Sequence, residues 1–248
     1  MKTIYILWLR QVKKYFRSPS RIIGSLGQPL LFMLALGYGF GSVFQQAGQG
    51  NYLEFLVPGI VAMSILFTAL FSGIEIIWDR QFGFLKETLV APVSRFEIMI
   101  GRSLGGATVA VLQGAIVLLI SLFFGFTIHN YSLLLLSLVF MFMVALLFTA
   151  LGTAIASLLE DMQGFQLIMN FLVMPIFFLS GALFPLQGLP KAIDVITRIN
   201  PLTYGVDGLR GTLAGLAQIS LTTDFIVLAV IIVVLNALGA YLFSKIQI

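Results

Sequence analysis

The sequence contains no cysteine and only one histidine, His129, among its 248 residues. Disulfides, thiolate metal sites and a cysteine nucleophile are therefore excluded, and one histidine is too few for a histidine-based metal cluster. A GxxxxGK[ST] run is also missing, so the chain lacks a Walker-type nucleotide site of its own. We therefore predict that this chain has no metal site, no catalytic residues and no bound cofactor. We expect that it is not an enzyme.

Charge is also scarce. Only 10% of the residues are charged, whereas a soluble domain carries roughly a quarter, and 59% are hydrophobic, with a mean hydropathy of +1.05. The net charge is +4, but the basic residues lie at the ends of apolar runs and form no groove-lining stripe, so no nucleic acid partner is expected. The composition predicts an integral membrane protein with a single membrane domain over residues 1–248.

Six apolar runs approach or exceed the ~20 residues that a helix needs to cross the hydrocarbon core. They are residues 22–44, 55–77, 103–126, 132–159, 165–185 and 225–244. A lone strand would leave its backbone unpaired in lipid, and no run alternates polar and apolar residues as a barrel strand does. The sequence therefore predicts an all-α integral membrane protein with six transmembrane helices.

The positions of lysine and arginine predict the orientation of these spans. Eleven of the fourteen basic residues lie before the first span, between the second and third, or after the last. Because cytoplasmic loops are enriched in these residues, both termini are expected in the cytoplasm, and the chain in a cell (inner or plasma) membrane. The turn at 160–164 departs from this pattern, since it carries Glu160 and Asp161 and no basic residue.

Residues 1–21 show the pattern of an amphipathic helix. Apolar residues such as Ile4 and Leu7 share one side with Trp8, and basic residues gather on the other. Such a helix is expected to lie in the membrane interface, where its basic residues contact lipid headgroups. The candidate interface residues are Trp8, Arg10, Lys13, Lys14 and Arg17.

The polar connector at 78–102 reads as a short amphipathic helix, a turn and the start of the third span. Phe82, Leu85 and Leu89 recur at helical spacing, and Pro92 disfavours continuation of that helix. Ser94 with Glu97 forms a potential capping box for the next helix. Two interpretations remain open from the residues alone: a solvated connector, or a helix that docks into a groove on a cytoplasmic partner.

A second polar stretch runs from residue 178 to 224 on the outer side. Gly181, Pro185 and Pro190 interrupt it, and a short surface helix is predicted at 191–199. Asn200 is expected to cap a further helix that begins at Pro201. Asp207 and Arg210, three residues apart on that helix, are predicted to pair. The stretch is either a surface loop or a set of re-entrant half-helices that form an outer gate.

Four polar residues fall within or beside the predicted spans. Glu75 lies close to the headgroup level, so structural anchoring is favoured over a role in an ion relay. Gln28, Gln113 and Asn170 are interpreted as buried residues that form hydrogen bonds between helices.

Three segments carry a family resemblance: DRQFGFLKETLVAPVSR at 79–95, SGALFPLQGLP at 180–190 and NPLTYGVDGLRG at 200–211. With the six spans and the basic N-terminal helix, they make the chain similar over nearly its whole length to the permease subunits of type-two ATP-binding-cassette exporters. The resemblance implies a homodimer or a pair of related permeases, docked on two copies of a cytoplasmic ATPase that uses ATP and Mg.

The resemblance also implies roles for the two polar stretches, and a substrate route at the permease dimer interface along the first, second and fifth spans. Residues 79–95 match the family's coupling region, and residues 180–211 match its outer gate. The implied coupling residues are Asp79, Arg80, Gly83, Phe84, Leu85, Lys86, Glu87, Leu89, Pro92 and Arg95. The implied gate residues are Gly181, Phe184, Pro185, Pro190, Asn200, Pro201, Tyr204, Asp207 and Arg210.

The substrate expected of such an exporter here is hydrophobic or amphipathic, either drug-like (multidrug export) or lipid-like, because the spans contain almost no charge. Phenylalanine-rich spans leave polysaccharide or lipid-linked glycan export as an alternative. Two rivals remain: a secondary transporter that uses Glu75, and a scaffold for a membrane complex.

Overall fold

A computed structural model describes residues 2–46, 51–84, 93–186, 188 and 190–244. All regular secondary structure within these ranges is helical, which confirms the all-α prediction. The sequence-based predictions for Leu85, Lys86, Glu87, Leu89 and Pro92 lie outside the described residues.

Ten α-helices, with one 3-10 turn at Tyr131–Leu133, are present in the described ranges. They are α1 (Lys2–Phe16), α2 (Pro19–Gln46), α3 (Tyr52–Phe71), α4 (Ile74–Gln81), α5 (Arg95–Phe123), α6 (Leu134–Leu158), α7 (Met162–Phe178), α8 (Lys191–Ile199), α9 (Pro201–Ala214) and α10 (Leu221–Ser244).

Among the described residues, five stretches are long and apolar enough to cross a membrane: α2, α3 together with α4, α5, the 3-10 turn together with α6, and α10. The sixth predicted span, at 165–185, is a helix only as far as Phe178. α7 has 17 residues, or about 25 Å at 1.5 Å per residue. Three residues after the helix ends, the chain turns at Gly181, whose φ of 73° is a left-handed conformation that glycine adopts without steric cost.

The helix α3 lies at the centre of the bundle and is buried along most of its length. Its neighbours approach closely because glycines stand at the crossings. A Cβ on Gly59 would collide with the backbone of Ala182, and one on Gly152 of α6 with the backbone of Leu70. These contacts leave little freedom for α3 to shift relative to α6.

The sequence predicted one continuous helix for the second span. In the structure this span is interrupted at Ser72 and Gly73. There the backbone switches to i→i−3 hydrogen bonds, for example from Gly73 N to Leu70 O at 3.2 Å. Gly73 packs directly against the backbone of Gly152, and the Ser72 hydroxyl donates to Ala69 O at 2.6 Å. The tightened turn therefore lies in direct contact with α6.

The helices α5 and α9 begin at the capping residues that the sequence predicted. Ser94 caps α5, its hydroxyl accepting from Glu97 N at 3.1 Å, and Asn200 caps α9, accepting from Leu202 N at 3.0 Å with Pro201 at the first position. The start of α5 corrects one boundary, because the third span begins at Arg95 and not at residue 103. Arg102 therefore lies two turns inside a helix.

Candidate coupling and gate sites

The charged residues concentrate at one end of the bundle, formed by α1, the start of α2, α4 and the start of α5; we call it the basic end. The amphipathic helix α1 packs along α5 there, and Gly105 permits this, since a Cβ would lie 2.6 Å from Gln11 Cγ. Trp8 Nε1 donates to Thr108 Oγ1 at 2.9 Å. The apolar side of α1 thus faces protein as well as lipid, which revises the simple picture of a helix lying on the membrane.

Tyr15 extends the same contact. Its hydroxyl donates to Gln113 Oε1 at 2.6 Å, which confirms the prediction that Gln113 is a buried residue bonded to another helix. Burial raises the pKa of the Tyr15 phenol above its ordinary value, while the charge of Arg21 lowers it by less. The phenol therefore remains protonated and a hydrogen-bond donor at neutral pH.

An ion-pair cluster joins α1, α4 and α5 through Asp79. Arg10 contacts this carboxylate with both terminal nitrogens, at 3.0 and 3.3 Å, and Arg102 contacts its second oxygen. Asp79 and Arg102 are only 7% and 4% exposed. The carboxylate links the three helices, and its removal would leave the buried Arg102 without a counter-charge.

A second ion-pair cluster joins α1, α2 and α4 through Glu75. Lys14 Nζ lies 3.1 Å and Arg21 Nη1 3.5 Å from the same oxygen, Glu75 Oε1. The two cations are about two-fifths exposed, whereas Glu75 is buried. This geometry supports the anchoring interpretation of Glu75 over the relay interpretation, since the carboxylate is occupied by two fixed cations.

The helix α4 is also bound to the turn between α6 and α7. Arg80 donates to Leu159 O at 3.1 Å and to Ser157 O at 3.5 Å, and Gln81 Nε2 donates to Glu160 O at 3.3 Å. Arginine in this position satisfies carbonyls that end a helix without an intrahelical partner. These bonds from Arg80 and Gln81 hold the turn at 160–164 at the basic end, although the turn has no basic residue of its own.

Beyond α4 the chain turns at Gly83, where φ is 78°. The ring of Phe84 lies 4.0 Å from Arg10 Cζ, so α1 also contacts the residue that precedes the undescribed range 85–92. Of the other predicted basic residues, Lys13, Arg17 and Arg95 are exposed at the same end.

The opposite end of the bundle is held by charged side chains that bond to backbone. Arg210, only 3% exposed, donates to Phe55 O at 3.2 Å and Gly181 O at 2.9 Å, and its guanidinium lies 3.8 Å from the centre of the Phe55 ring. Asp207 accepts from Gln218 N at 2.9 Å and Ile219 N at 2.8 Å.

The predicted pairing of Asp207 with Arg210 is therefore wrong, since each side chain bonds to backbone groups instead of to the other. The physical reason is that buried backbone groups near the two side chains need partners: Arg210 reaches the carbonyls of Phe55 and Gly181, and Asp207 reaches the N–H groups of Gln218 and Ile219.

Other predicted gate residues divide between this network and the surface. Asn200 Nδ2 donates to Ile176 O at 2.6 Å, which ties α9 to the end of α7, and Tyr204 OH donates to Arg198 O at 2.8 Å. Phe184 and Pro190 are exposed, and Pro185 is half-buried. The structure thus brings Gly181, Asn200, Asp207 and Arg210 into the packed end, while the remaining predicted gate residues lie at its edge.

The prediction of buried interhelical hydrogen bonds is wrong for Gln28 and Asn170, which are exposed on α2 and α7. The sequence places both inside apolar runs but does not show which way they face. Much of α2 and α7 is exposed in the single chain, and large apolar side chains such as Phe171, 82% exposed, lie on the same surface.

Sequence reasoning missed two charged residues. Arg102 was assigned to a connector, although the capping signal at Ser94 would have placed it inside α5. Asp224 is fully buried in α10, and neither of its carboxylate oxygens has a hydrogen-bond partner within the described part of the chain. No sequence signal distinguishes it from an ordinary residue at a helix start.

A helical bundle with several stretches long and apolar enough to cross a membrane is the architecture of a multi-pass membrane protein. Comparison with known proteins identifies its family: the profile described as ABC-2 type transporter matches residues 2–214. The chain belongs to this family, whose members are membrane permease subunits and not catalytic ones, and membership implies a partner ATP-binding subunit.

Individual relatives agree with this assignment. The chain is 30% identical to "Putative transport permease ycf38" of Cyanophora paradoxa, over 85% of this chain and 73% of that protein. It is 27% identical to "Inner membrane transport permease YadH" of Escherichia coli (strain K12), over 92% and 89%. It is 29% identical to "Nodulation protein J" of Rhizobium leguminosarum bv. trifolii, over 85% and 78%.

Proposed function

We propose that this chain is the permease of an ATP-driven exporter that moves a hydrophobic or amphipathic substrate, drug-like or lipid-like, out of the cytoplasm or inner leaflet. A separate cytoplasmic ATPase, in two copies, uses ATP and Mg and powers a homodimer of this chain. Both termini face the cytoplasm in this proposal, and residues 79–95 contact the ATPase.

The observation that carries the proposal is the Asp79 cluster. It lies within α4, at the start of the segment 79–95 assigned to ATPase contact, and it binds α1 and α5 through Arg10 and Arg102. A displacement of that segment would therefore be passed to α1 and α5, since Asp79 is paired with both helices. Arg80 adds the turn between α6 and α7 to the group that moves.

The exposed surfaces of α2 and α7 support the homodimer. Asn170 would face lipid in a single chain, where an unpaired amide is costly, but it would face a partner or a solvated route in a dimer. One relative is named an inner membrane transport permease, so we place the dimer in an inner membrane.

The decisive experiment is affinity purification of the tagged chain from its native membrane, with mass spectrometry of the proteins that co-purify. We expect a soluble ATPase in about equal amount. Phe82, 81% exposed at the end of α4, is the described residue to test, and Phe82→Ala should reduce ATPase recovery. Phe123, 90% exposed at the other end of α5, supplies the matched control, so Phe123→Ala should leave recovery unchanged.

Recovery of the chain without any ATPase, in a state that still moves solute, would overturn the proposal and return attention to a secondary transporter.

Glycan export is the second candidate, favoured by exposed aromatic rings at Tyr38, Phe40 and Phe171 that could stack on sugars. Deleting the gene and comparing cell-associated glycans with membrane-extractable amphiphiles separates the two. Accumulation of an intracellular glycan, with amphiphiles unchanged, would replace the first proposal by the second.

A further inference from the structure

A cavity of about 210 Å³ opens between α2 and α3 near the basic end. It is closed on one side by Tyr15 of α1. The residues that matter for its chemistry are Arg21, Ser25, Gln28, Ser64, Phe67 and Thr68.

The polar residues of the cavity are arranged along its length. Arg21 lies near the start of α2, and Gln28 is seven residues further on, about 10 Å deeper at 1.5 Å per residue. Ser64 and Thr68 face them from α3, one helical turn apart, with Phe67 beside them. The cavity therefore has a cation near one end and neutral polar and aromatic groups further in.

One hydroxyl in the cavity lacks a hydrogen-bond partner. Ser64 is 3% exposed, and its Oγ bonds to nothing in the described ranges. In contrast, Ser25 and Ser72 donate to carbonyls of their own helices, at 2.9 and 2.6 Å. A buried hydroxyl left unpaired costs about 1–3 kcal/mol, so a bound polar group would be stabilised by it.

The carbonyl of Ser25 lacks its usual helical donor at the same place. Pro29, four residues later, has no N–H to donate to it, and both residues line the cavity.

The charge at the mouth is not neutralised. Arg21 shares the single carboxylate of Glu75 with Lys14, which holds it at the shorter distance of 3.1 Å against 3.5 Å. One negative charge between two cations leaves a surplus positive charge next to the cavity. An anionic group that enters the mouth would accept charge-assisted hydrogen bonds from Arg21.

We propose that this cavity binds the head group of an anionic single-chain amphiphile drawn from the adjoining leaflet, with its anionic group at Arg21, a neutral hydroxyl of the head at Ser64 and the first part of the chain beside Phe67. At about 210 Å³ it is smaller than the ~300–1,000 Å³ typical of sites that enclose a whole ligand, so the rest of the chain lies along the exposed surface of α2. The assignment of this leaflet and of transport rests on the proposed function.

The test is photolabelling of the purified permease, without ATPase, in nanodiscs of phosphatidylcholine. The probe is a lysophosphatidic acid with a diazirine on its acyl chain, compared with the monoacylglycerol of equal chain length, which is the uncharged alcohol, and labelled peptides are mapped by mass spectrometry. The acid should label peptides 24–29 and 63–71 about tenfold more than the alcohol, as expected for one charge-assisted hydrogen bond.

Matched variants assign the effect to named residues. Arg21→Gln should remove the acid's advantage and Arg21→Lys should restore part of it, whereas Arg17→Gln, on an exposed arginine outside the cavity, should leave labelling unchanged. Ser64→Ala should lower labelling severalfold. Ser103, also a buried serine without a partner but not in the cavity, provides the control Ser103→Ala. Equal labelling by acid and alcohol, or labelling insensitive to Arg21→Gln and Ser64→Ala, overturns the proposal.

A resident membrane lipid and an exported substrate share this chemistry, and a second arm separates them. Adding the co-purified ATPase with ATP and Mg should reduce labelling if the amphiphile is exported, and leave it unchanged if the lipid is resident. Because the first arm uses the permease alone, failure to find an ATPase would contradict the proposed function without affecting the binding result.

Discussion

The two ends of the bundle use charge in different ways. At the basic end, Asp79 and Glu75 are bound to cationic side chains, three of which are more than a third exposed. At the opposite end, Arg210 and Asp207 are buried and bind backbone carbonyls and N–H groups. Half-exposed cations exchange one partner for another at modest cost, whereas a buried charge on backbone groups has no alternative partner. We infer that the ion pairs of the basic end rearrange more readily than the backbone contacts of Arg210 and Asp207 at the opposite end.

The largest expected effect is at Arg210. Arg210→Ala would leave the carbonyls of Phe55 and Gly181 buried without this donor and open a space beside the Phe55 ring. We expect the free energy of unfolding to fall by about 3–5 kcal/mol, measured by denaturant or thermal unfolding of the purified protein in detergent. Arg198→Ala, on a 75% exposed side chain paired within its own helix, is the control and should cost less than about 0.5 kcal/mol. Similar losses for the two variants would contradict the contrast between buried and exposed charge.

The next effect is at Asp79, whose partner Arg102 is the most buried charge of the two ion-pair clusters, at 4% exposed. Asp79→Ala leaves Arg102 buried without its carboxylate, so we expect a loss of about 2–4 kcal/mol in the same unfolding measurement. Asp79→Asn keeps the shape and tests charge alone. If neither variant changes stability, the cluster does not hold α1, α4 and α5 together.

A smaller loss is expected at Glu75. Its partners Lys14 and Arg21 are about two-fifths exposed, so Glu75→Gln should cost about 1 kcal/mol and only part of the transport rate. Transport of a fluorescent amphiphile by the permease with its ATPase, in vesicles, measures the second quantity. Complete loss of transport at normal stability would favour the ion-relay interpretation instead.

The smallest stability effect is at Arg10, which is 36% exposed at the side chain. Arg10→Gln should cost about 0.5–1 kcal/mol, because Arg102 still neutralises Asp79. Arg10→Gln should also weaken the coupling of ATP hydrolysis to transport, so the ratio of ATP hydrolysed to substrate moved should rise. The control is Lys13→Gln, an exposed residue of the same helix. An unchanged ratio in Arg10→Gln would show that α1 does not transmit motion from α4.

Most of the secondary structure followed from local signals. Spans were predicted by apolar length, and the starts of α5 and α9 by Ser94 and Asn200, because a cap depends on residues only two or three positions away. The interruption at Ser72 and Gly73 was not predicted, since it arises from contact with Gly152, about eighty residues later in the chain.

The partners of charged residues were predicted less well. Asp207 and Arg210 share a helix at pairing distance, yet each bonds to a loop that the local sequence does not bring near. The same limit applies to Gln28 and Asn170, because a uniformly apolar run has no periodicity from which to assign the side that faces protein.

The sequence by itself determined that this protein is a bundle of membrane helices with most of its basic residues at one end, because hydrocarbon admits only long apolar helices and basic residues collect on one side of the membrane. Only the tertiary structure decided which charges meet: that Asp79 joins three helices, that Arg210 binds backbone, and that an unpaired hydroxyl of Ser64 lies in the same cavity as Arg21. The physical reason is that a helix depends on neighbours within about one turn, whereas these contacts join residues brought together only when helices far apart in the chain pack against one another.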